Sequence, residues 1–92
     1  MAKAKFLLGL LVATTGALTA LEEAGQNALE FVSRHQHGEW GELPEEDKQE
    51  NEFSILNDLR ILSAYTLKTG TKIWIITEAD RSVTTILLPQ EY

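Results

Sequence analysis

The stretch RILSAYTLKTGTKIWIITE, residues 60–78, decides the fold of this chain. Apolar and β-branched residues run on both sides of Lys68-Thr69-Gly70, and a short glycine-containing connection between two such runs is typical of a β-hairpin. The turn at 79–82 is followed by a third run of the same kind, SVTTILLP at 82–89. The sequence therefore predicts a meander of three antiparallel strands at the C-terminal end.

Two short helices are predicted well before the hairpin. ALTALEEAG, residues 17–25, closes on the glycine that commonly ends a helix. Asn27 opens a capping box for the helix ALEFVSRHQ at 28–36. Leu29 and Val32 share a face of this second helix, with Ala28 and Phe31 beside it.

A third helix is predicted to begin at Pro44, which suits a first helical position. Three acids follow it directly, and acids in a first turn stabilise the positive end of a helix. The helix stays polar up to Phe53, Ile55 and Leu56, so only this end is expected to be buried.

Residues 5–13, KFLLGLLVA, are interpreted as a strand buried on both faces, although a helix remains open for so short an apolar run. A secretory signal is the other alternative, but Gly9 and the Thr14–Gly16 stretch interrupt the run and no small-residue cleavage pattern follows. The run is also too short to span a bilayer. The expected fold is α+β: one strand, three short helices and the antiparallel meander, with the helices on one face of a mostly antiparallel sheet.

The composition narrows the class of protein. Ninety-two residues predict a single domain over 1–92, and 43% hydrophobic residues argue for a folded chain. The chain has no cysteine, which excludes disulfides and fits a cytoplasmic setting. The net charge of −6 disfavours a broad nucleic-acid or anionic membrane surface. No motif indicates a cofactor.

RHQHGEWGELPEED, residues 34–47, is the most unusual loop sequence. His35 and His37 would share a metal only on an extended segment, and no convincing third ligand accompanies them, so no metal site is predicted. The alternative is a helix end, where a cationic histidine interacts well with the helix dipole. Trp40 lies between two glycines, Gly38 and Gly41, and is either a plug at the edge of the core or an exposed anchor for a partner.

Two further groups of residues are candidate surfaces. Trp74 and Ile76 share the face of their strand that is either covered or open to a partner. Arg81, in the last turn, is either an anion contact or a solvated charge paired with Asp80. Arg60 and Tyr65 lie on the first strand of the hairpin.

The segments LVATTGALTALEEAG, HGEWGEL and WIITEADRSVTTILLPQEY resemble a family of small bacterial proteins carried on plasmids and integrating elements. Some members bear a loose label as a type I restriction subunit, but this chain lacks the methyl-donor loop and the Asn-Pro-Pro-aromatic motif of such subunits. The resemblance covers nearly the whole chain. It implies a bacterial cytoplasmic protein of mobile DNA and little about activity.

DLRILSAY followed by WIITEADRSVTTI is similar in layout to the final strands of barnase-type ribonucleases. This resemblance implies a phosphate-binding role for Arg60 and places Arg81 where that family has its general-acid histidine. An arginine is a poor proton donor because it stays protonated.

The leading hypothesis is a small non-catalytic binding or accessory protein of a mobile element, with a protein partner or a homodimer and no membrane. Trp40, Arg60, Tyr65 and Arg81 are its predicted binding residues. The alternative is a toxin-like ribonuclease, with His37, Arg60, Tyr65 and Arg81 as the catalytic set.

Overall fold

The computed structural model describes residues 3–92. The elements follow in the order β1 (Leu10–Ala13), α1 (Thr15–Ala24), α2 (Ala28–Gln36), α3 (Glu45–Asn57), β2 (Ile61–Thr66), β3 (Lys72–Thr77), β4 (Val83–Leu87) and a 3-10 turn (Pro89–Glu91). The predicted α+β class and element order are confirmed. Within the described part of the chain, no helix has the length and apolar content needed to cross a bilayer.

The four strands form one mixed sheet in the order β1-β4-β3-β2. The meander of β2, β3 and β4 is antiparallel, as predicted from the hairpin. The first strand, whose place in the sheet the sequence left open, lies at an edge and runs parallel to β4. Helices α1 to α3 connect β1 to β2, which lie at opposite edges of the sheet.

Helices α1 and α2 cover one side of the sheet, which is called the first face below. The apolar side chains packed there come from both helices and from β2, β3 and β4: Ala17, Ala20, Leu21, Phe31, Val32, Tyr65, Leu67, Ile73, Ile75 and Ile86. Burying such side chains contributes roughly 1.5–3 kcal/mol for each large one. This cluster is the main core.

The opposite side of the sheet, the second face, carries Trp74 and Ile76, as the alternation predicted. The C-terminal residues cover part of it, because the ring of Tyr92 packs edge-on against Trp74 with the ring centroids 5.7 Å apart. Ile76 is buried, while Trp74 is half-buried. The face is therefore only partly open.

Capping residues define where the first two helices begin and where α1 ends. The Thr14 side chain accepts a hydrogen bond from the Ala17 amide at the start of α1, and Gly25 ends that helix with a φ of 65°. Asn27 caps α2 by accepting from the Leu29 amide. Pro44 is the cap residue before α3, so the helix begins at Glu45, one residue after the predicted start.

The expectation of a long, doubly buried strand over 5–13 is wrong. The strand has only four residues, and Leu10, Leu11 and Val12 are all exposed. Gly9 breaks it with a φ of 66°, where an added Cβ would overlap the backbone of the β3–β4 turn. An edge position explains the exposure, because β1 has a neighbouring strand on one side only.

On α2, Leu29 and Val32 differ in burial although the sequence grouped them on one face. Leu29 is 61% exposed, since α2 turns Phe31, Val32 and His35 inward instead. At the end of α3, the predicted burial holds only for Ile55, which packs against a core cluster. It is wrong for Phe53 and Leu56, whose exposed fractions are 55% and 83%.

Candidate functional site

His35 lies fully buried on α2, and both of its ring nitrogens have hydrogen-bond partners. Nδ1 is 2.5 Å from Ser63 Oγ, and Nε2 is 2.9 Å from Thr77 Oγ1. The Thr77 and Thr84 hydroxyl oxygens are 2.8 Å apart, and the Thr84 hydroxyl donates to the Leu8 carbonyl oxygen at 2.7 Å. These four bonds, called the His35 chain below, run through the first face of the sheet.

The carbonyl at one end sets the direction of every proton in the His35 chain. Thr84 uses its single hydroxyl proton on the carbonyl, so its oxygen accepts from Thr77. Thr77 then accepts from the Nε2–H of His35, and Nδ1 accepts from the Ser63 hydroxyl. A neutral imidazole satisfies all of these groups, and burial lowers the pKa of His35 from 6.5 to about 3. The expected cationic histidine at a helix end is wrong for His35, because desolvation disfavours the charge.

The pairing of Ser63 with His35 has the composition of a nucleophile and its base. Both side chains are 0% exposed, however, and the bonds of the His35 chain occupy both ring nitrogens. A substrate therefore has no route to this pair in the structure. The arrangement serves packing, since buried polar groups are stable only when they are hydrogen-bonded.

Trp40 is 4% exposed and fills a second, smaller core cluster with Phe6 and Ile61. Its ring stacks on Phe6 with centroids 6.2 Å apart, and its Nε1–H donates to Glu52 Oε2 at 2.9 Å. The packing alternative for this residue is confirmed. The expected exposure of an anchor is corrected, because the N-terminal segment folds over the ring.

Arg81 connects the β3–β4 turn to the end of α3. Its guanidinium donates to four backbone carbonyl oxygens, of Ser54, Leu59, Glu78 and Ala79, at 2.7–3.1 Å. The backbone of Arg81 has a φ of 61°, which is unusual for a residue other than glycine. The guanidinium is thus directed to the protein's own carbonyls, whose partial negative charge it neutralises.

The expected partner of Arg81, Asp80, bonds to Ser82 instead. Its carboxylate accepts from the Ser82 amide at 3.0 Å and from the Ser82 hydroxyl at 2.5 Å. These two bonds lower the pKa of Asp80. The pairing of Arg81 with Asp80 is therefore wrong, because the turn gives each side chain a nearer backbone or hydroxyl partner.

Arg60 and Tyr65 differ in burial and have different hydrogen-bond partners. Arg60 is exposed, forms an ion pair with Glu78 at 3.0 Å and donates to the Tyr92 hydroxyl at 2.8 Å. Tyr65 is buried, and its hydroxyl donates to the Glu39 carbonyl oxygen at 2.7 Å. Burial raises the pKa of Tyr65 to about 12.

His37 ends α2, and its Nδ1 lies 2.6 Å from the Ser33 carbonyl oxygen one turn earlier. Among residues 3–92, no group of three His, Asp or Glu side chains comes together as metal ligands. Each member of the predicted catalytic set, His37, Arg60, Tyr65 and Arg81, has its own separate partners. The structure therefore places these residues in structural contacts and not around a shared cavity.

Helix α3 turns only one of its three large apolar side chains, Ile55, toward a core cluster. Asn51 and Ser54 are buried against the sheet, while Phe53 and Leu56 point away from it. Positions three apart lie on the same side of a helix, so Phe53 and Leu56 form one outward stripe. A shallow depression beside Phe53 is lined mainly by polar and acidic residues of the same helix: Glu46, Asp47, Gln49 and Glu50. These six residues are called the α3 outer face.

Asn51 is the important residue that the sequence did not reveal. Its side-chain amide donates to the Leu62 carbonyl oxygen at 2.6 Å and accepts from the Leu62 amide at 3.1 Å. These two bonds replace the backbone hydrogen bonds that a further strand would make to Leu62 at the edge of the sheet. An asparagine inside the run QENEF gave no signal for this role, because it is typical of a solvated helix surface.

Comparison of the chain with protein-family models, with curated proteins and with solved structures gave no match.

Proposed function

We propose that this chain is a small non-catalytic binding or accessory protein of a bacterial mobile genetic element, and that the α3 outer face contacts its protein partner. The exposure of Phe53 and Leu56 on α3 carries the proposal. A helix on a soluble protein ordinarily turns its large apolar side chains toward the core. Exposing the side chains of Phe53 and Leu56 leaves apolar area in water, which is unfavourable for the isolated chain and suits a surface that is covered by a partner.

The charge around the apolar stripe indicates the chemistry of the partner. Glu46, Asp47 and Glu50 flank Phe53 on the same helix. A complementary surface has an apolar recess that takes the Phe53 ring and lysine or arginine side chains around it. The proposed partner is therefore a protein with a basic rim.

The internal partners of the polar candidates support binding over catalysis. Arg81 is directed to backbone carbonyls, and the Tyr65 hydroxyl to the carbonyl of Glu39. An activated base or acid near neutral pH needs access to its substrate, which buried His35 lacks. The setting in a mobile element rests on the resemblance of the chain to plasmid-borne proteins, and the cytoplasmic location rests on the absence of cysteine.

A photo-crosslinking amino acid at Gln49 tests the surface in bacterial cells, with the same amino acid at Glu30 on α2 as the control. We expect a protein adduct from Gln49 that Glu30 does not give. The captured protein is then purified and its binding is measured with the variant Phe53→Ser/Leu56→Ser. Loss of two central apolar contacts is expected to weaken binding by at least about a hundredfold, since hot-spot residues contribute about 2 kcal/mol or more each.

The matched control is Leu29→Ser, which removes a leucine of comparable exposure from another helix. It is expected to leave the affinity unchanged, and all variants are expected to keep the melting temperature of the wild type. Equal weakening by Leu29→Ser, or no weakening by the α3 variant, contradicts the proposal. Cleavage of RNA by the purified wild type, lost in Arg60→Ala, would favour the ribonuclease alternative instead.

A further inference from the structure

Within the part of the chain that the structure describes, the outer edge of β1 has backbone groups without a hydrogen-bond partner. The amides of Leu10 and Thr14 donate inward to β4, to the carbonyl oxygens of Ser82 and Ile86, each at 2.9 Å. Backbone groups alternate in direction along a strand, so the N–H and C=O of Leu11 and Ala13 point outward. No strand of the described chain lies on that side.

The opposite edge of the sheet is closed. Along β2, the outward backbone groups of Leu62 bond to the Asn51 side chain. Those of Ala64 bond to the Trp40 carbonyl oxygen and the Glu42 amide, at 3.2 and 2.8 Å. Proteins cover or charge their sheet edges to prevent association. Among residues 3–92, nothing protects the other edge in that way, and β1 there is apolar and uncharged, with three of its four residues exposed.

We propose that two copies of this chain associate through β1, which pairs antiparallel with itself about a two-fold axis at Val12. The outward groups lie at Leu11 and Ala13, one on each side of Val12. Pairing Leu11 of one copy with Ala13 of the other satisfies both sets and forms four hydrogen bonds. The two sheets become one sheet of eight strands.

Several features favour a second copy as the occupant. A two-fold interface uses the same patch on both copies, so the outward groups at positions 11 and 13 of one copy can satisfy those at 13 and 11 of the other. All four residues of β1 are apolar, so the two-fold axis brings no like charges together despite the net charge of −6. A four-residue strand buries little area, so the dimer is expected to be weak and to depend on concentration. This inference does not rest on the proposed function, because α3 packs at the other edge of the sheet.

Single cysteines test the register directly, because the chain has none of its own. The pair at the two-fold axis is a non-hydrogen-bonded pair, whose Cα atoms are about 4.5 Å apart. This distance suits a disulfide. Val12→Cys is therefore expected to form a disulfide-linked dimer rapidly in oxidising buffer.

Leu10→Cys is the matched control. In the proposed register its two Cα atoms are about 14 Å apart, too far for a disulfide. Leu10 is more exposed than Val12, at 67% against 38%, so random collision predicts faster crosslinking at Leu10. Faster crosslinking at Val12, by at least about tenfold, supports the proposal; equal or faster crosslinking at Leu10 overturns it.

A charge swap gives an independent measurement by analytical ultracentrifugation. The wild type is expected to shift from monomer to dimer as the concentration rises, and Val12→Lys or Val12→Glu alone is expected to remain monomeric. Mixing the two variants is expected to restore the dimer, because opposite charges then face each other across the axis. Circular dichroism checks that both variants are folded. A wild type that stays monomeric up to millimolar concentration overturns the proposal and leaves this edge to a strand of another protein.

Discussion

His35 shows how one buried residue couples the stability of this protein to pH. Burial lowers its pKa from 6.5 to about 3, so below pH 6.5 the unfolded chain binds a proton that the folded chain does not. The contribution of His35 to stability is therefore complete above pH 6.5 and is lost as the pH falls toward 3, at about 1.4 kcal/mol per pH unit.

We expect urea unfolding to give a free energy roughly 2 kcal/mol lower at pH 5 than at pH 7.5 because of this residue. The lowered carboxyl pKa values of Asp80 and Glu91 do not contribute in this range, since these groups remain ionised above pH 5. In His35→Gln the difference is expected to shrink by most of that amount, although the variant is less stable at every pH. An unchanged pH difference in His35→Gln would show that this histidine is not buried in its neutral form.

Substitution of two neighbouring threonines, Thr84 and Thr85, distinguishes the loss of a bond in the His35 chain from the general effect of replacing threonine by valine in a strand. Thr84→Val removes the hydroxyl that links Thr77 to the Leu8 carbonyl, and the cost of unpaired buried groups is about 1–3 kcal/mol. Thr85→Val changes the next residue of β4, which points to the second face. It is expected to alter the free energy of unfolding by less than about 0.5 kcal/mol. Equal effects of the two substitutions in chemical denaturation would contradict the buried chain.

For single residues, the sequence predicts which face of the sheet a side chain lies on, but not which other side chains it contacts there. Alternation places Ser63 and Tyr65 on one side of β2, and both are buried on the first face. It does not reveal that Ser63 meets His35, because that contact joins residues 28 positions apart in the sequence. The sequence allows Trp40 to be a core plug or an anchor. The N-terminal segment decides between them, because it places the Phe6 ring on Trp40.

The β3–β4 turn and α3 are held together by Arg81, so its removal affects two elements at once. Arg81→Ala is expected to lower the free energy of unfolding by about 2–4 kcal/mol, because several charge-assisted hydrogen bonds to carbonyls are lost. Arg60→Ala removes an exposed ion pair and is expected to cost less than about 1 kcal/mol. Thermal and urea unfolding of both variants check this difference.

The relative loss of stability in Arg81→Ala and Arg60→Ala also tests the ribonuclease alternative. If both arginines held phosphate at the surface, both alanine variants would weaken RNA binding with little loss of stability. An Arg81→Ala protein as stable as the wild type would therefore refute the structural role of this arginine. Arg81→Gly is a useful companion, since glycine adopts the positive φ of this turn without strain and is expected to be slightly less destabilising than alanine.

The elements differ in how well their sequences specify them. The hairpin is predictable because period-two alternation and a tight turn are local signals. The exposure of β1 is not, since an apolar run suits a central strand and an exposed edge strand equally well. Hydrophobicity alone assigns Phe53 and Leu56 to the core, whereas the backbone of β2 requires a polar partner on α3 and Asn51 supplies it.

For the whole molecule, the order of the strands separates two surfaces. β1 forms one end of the sheet, and α3 packs against β2 at the other end. A dimer through β1 therefore leaves both copies of the α3 outer face free. Such a dimer would present the proposed partner site twice, which raises the apparent affinity for a partner that is itself multivalent.

Amide hydrogen exchange measured residue by residue tests the asymmetry between the two edges. At micromolar concentration, the amides of Leu62 and Ala64 on β2 are expected to be protected, because Asn51 and Trp40 accept their hydrogen bonds. The outward amides of β1, at positions 11 and 13, are expected to exchange far faster, since they have no partner within the described fold.

Raising the protein concentration to the millimolar range is expected to change amide exchange on β1, the proposed pairing edge, but not on β2, the closed edge. The amides of Leu11 and Ala13 are then expected to slow together by at least about tenfold, while those of Leu62 and Ala64 stay as they were. Val12→Lys serves as the control, because its amides at 11 and 13 should remain fast at every concentration. Fast exchange at Leu62 and Ala64 would contradict the closing of the β2 edge by Asn51, and slowing of all four amides would indicate non-specific association instead of pairing through β1.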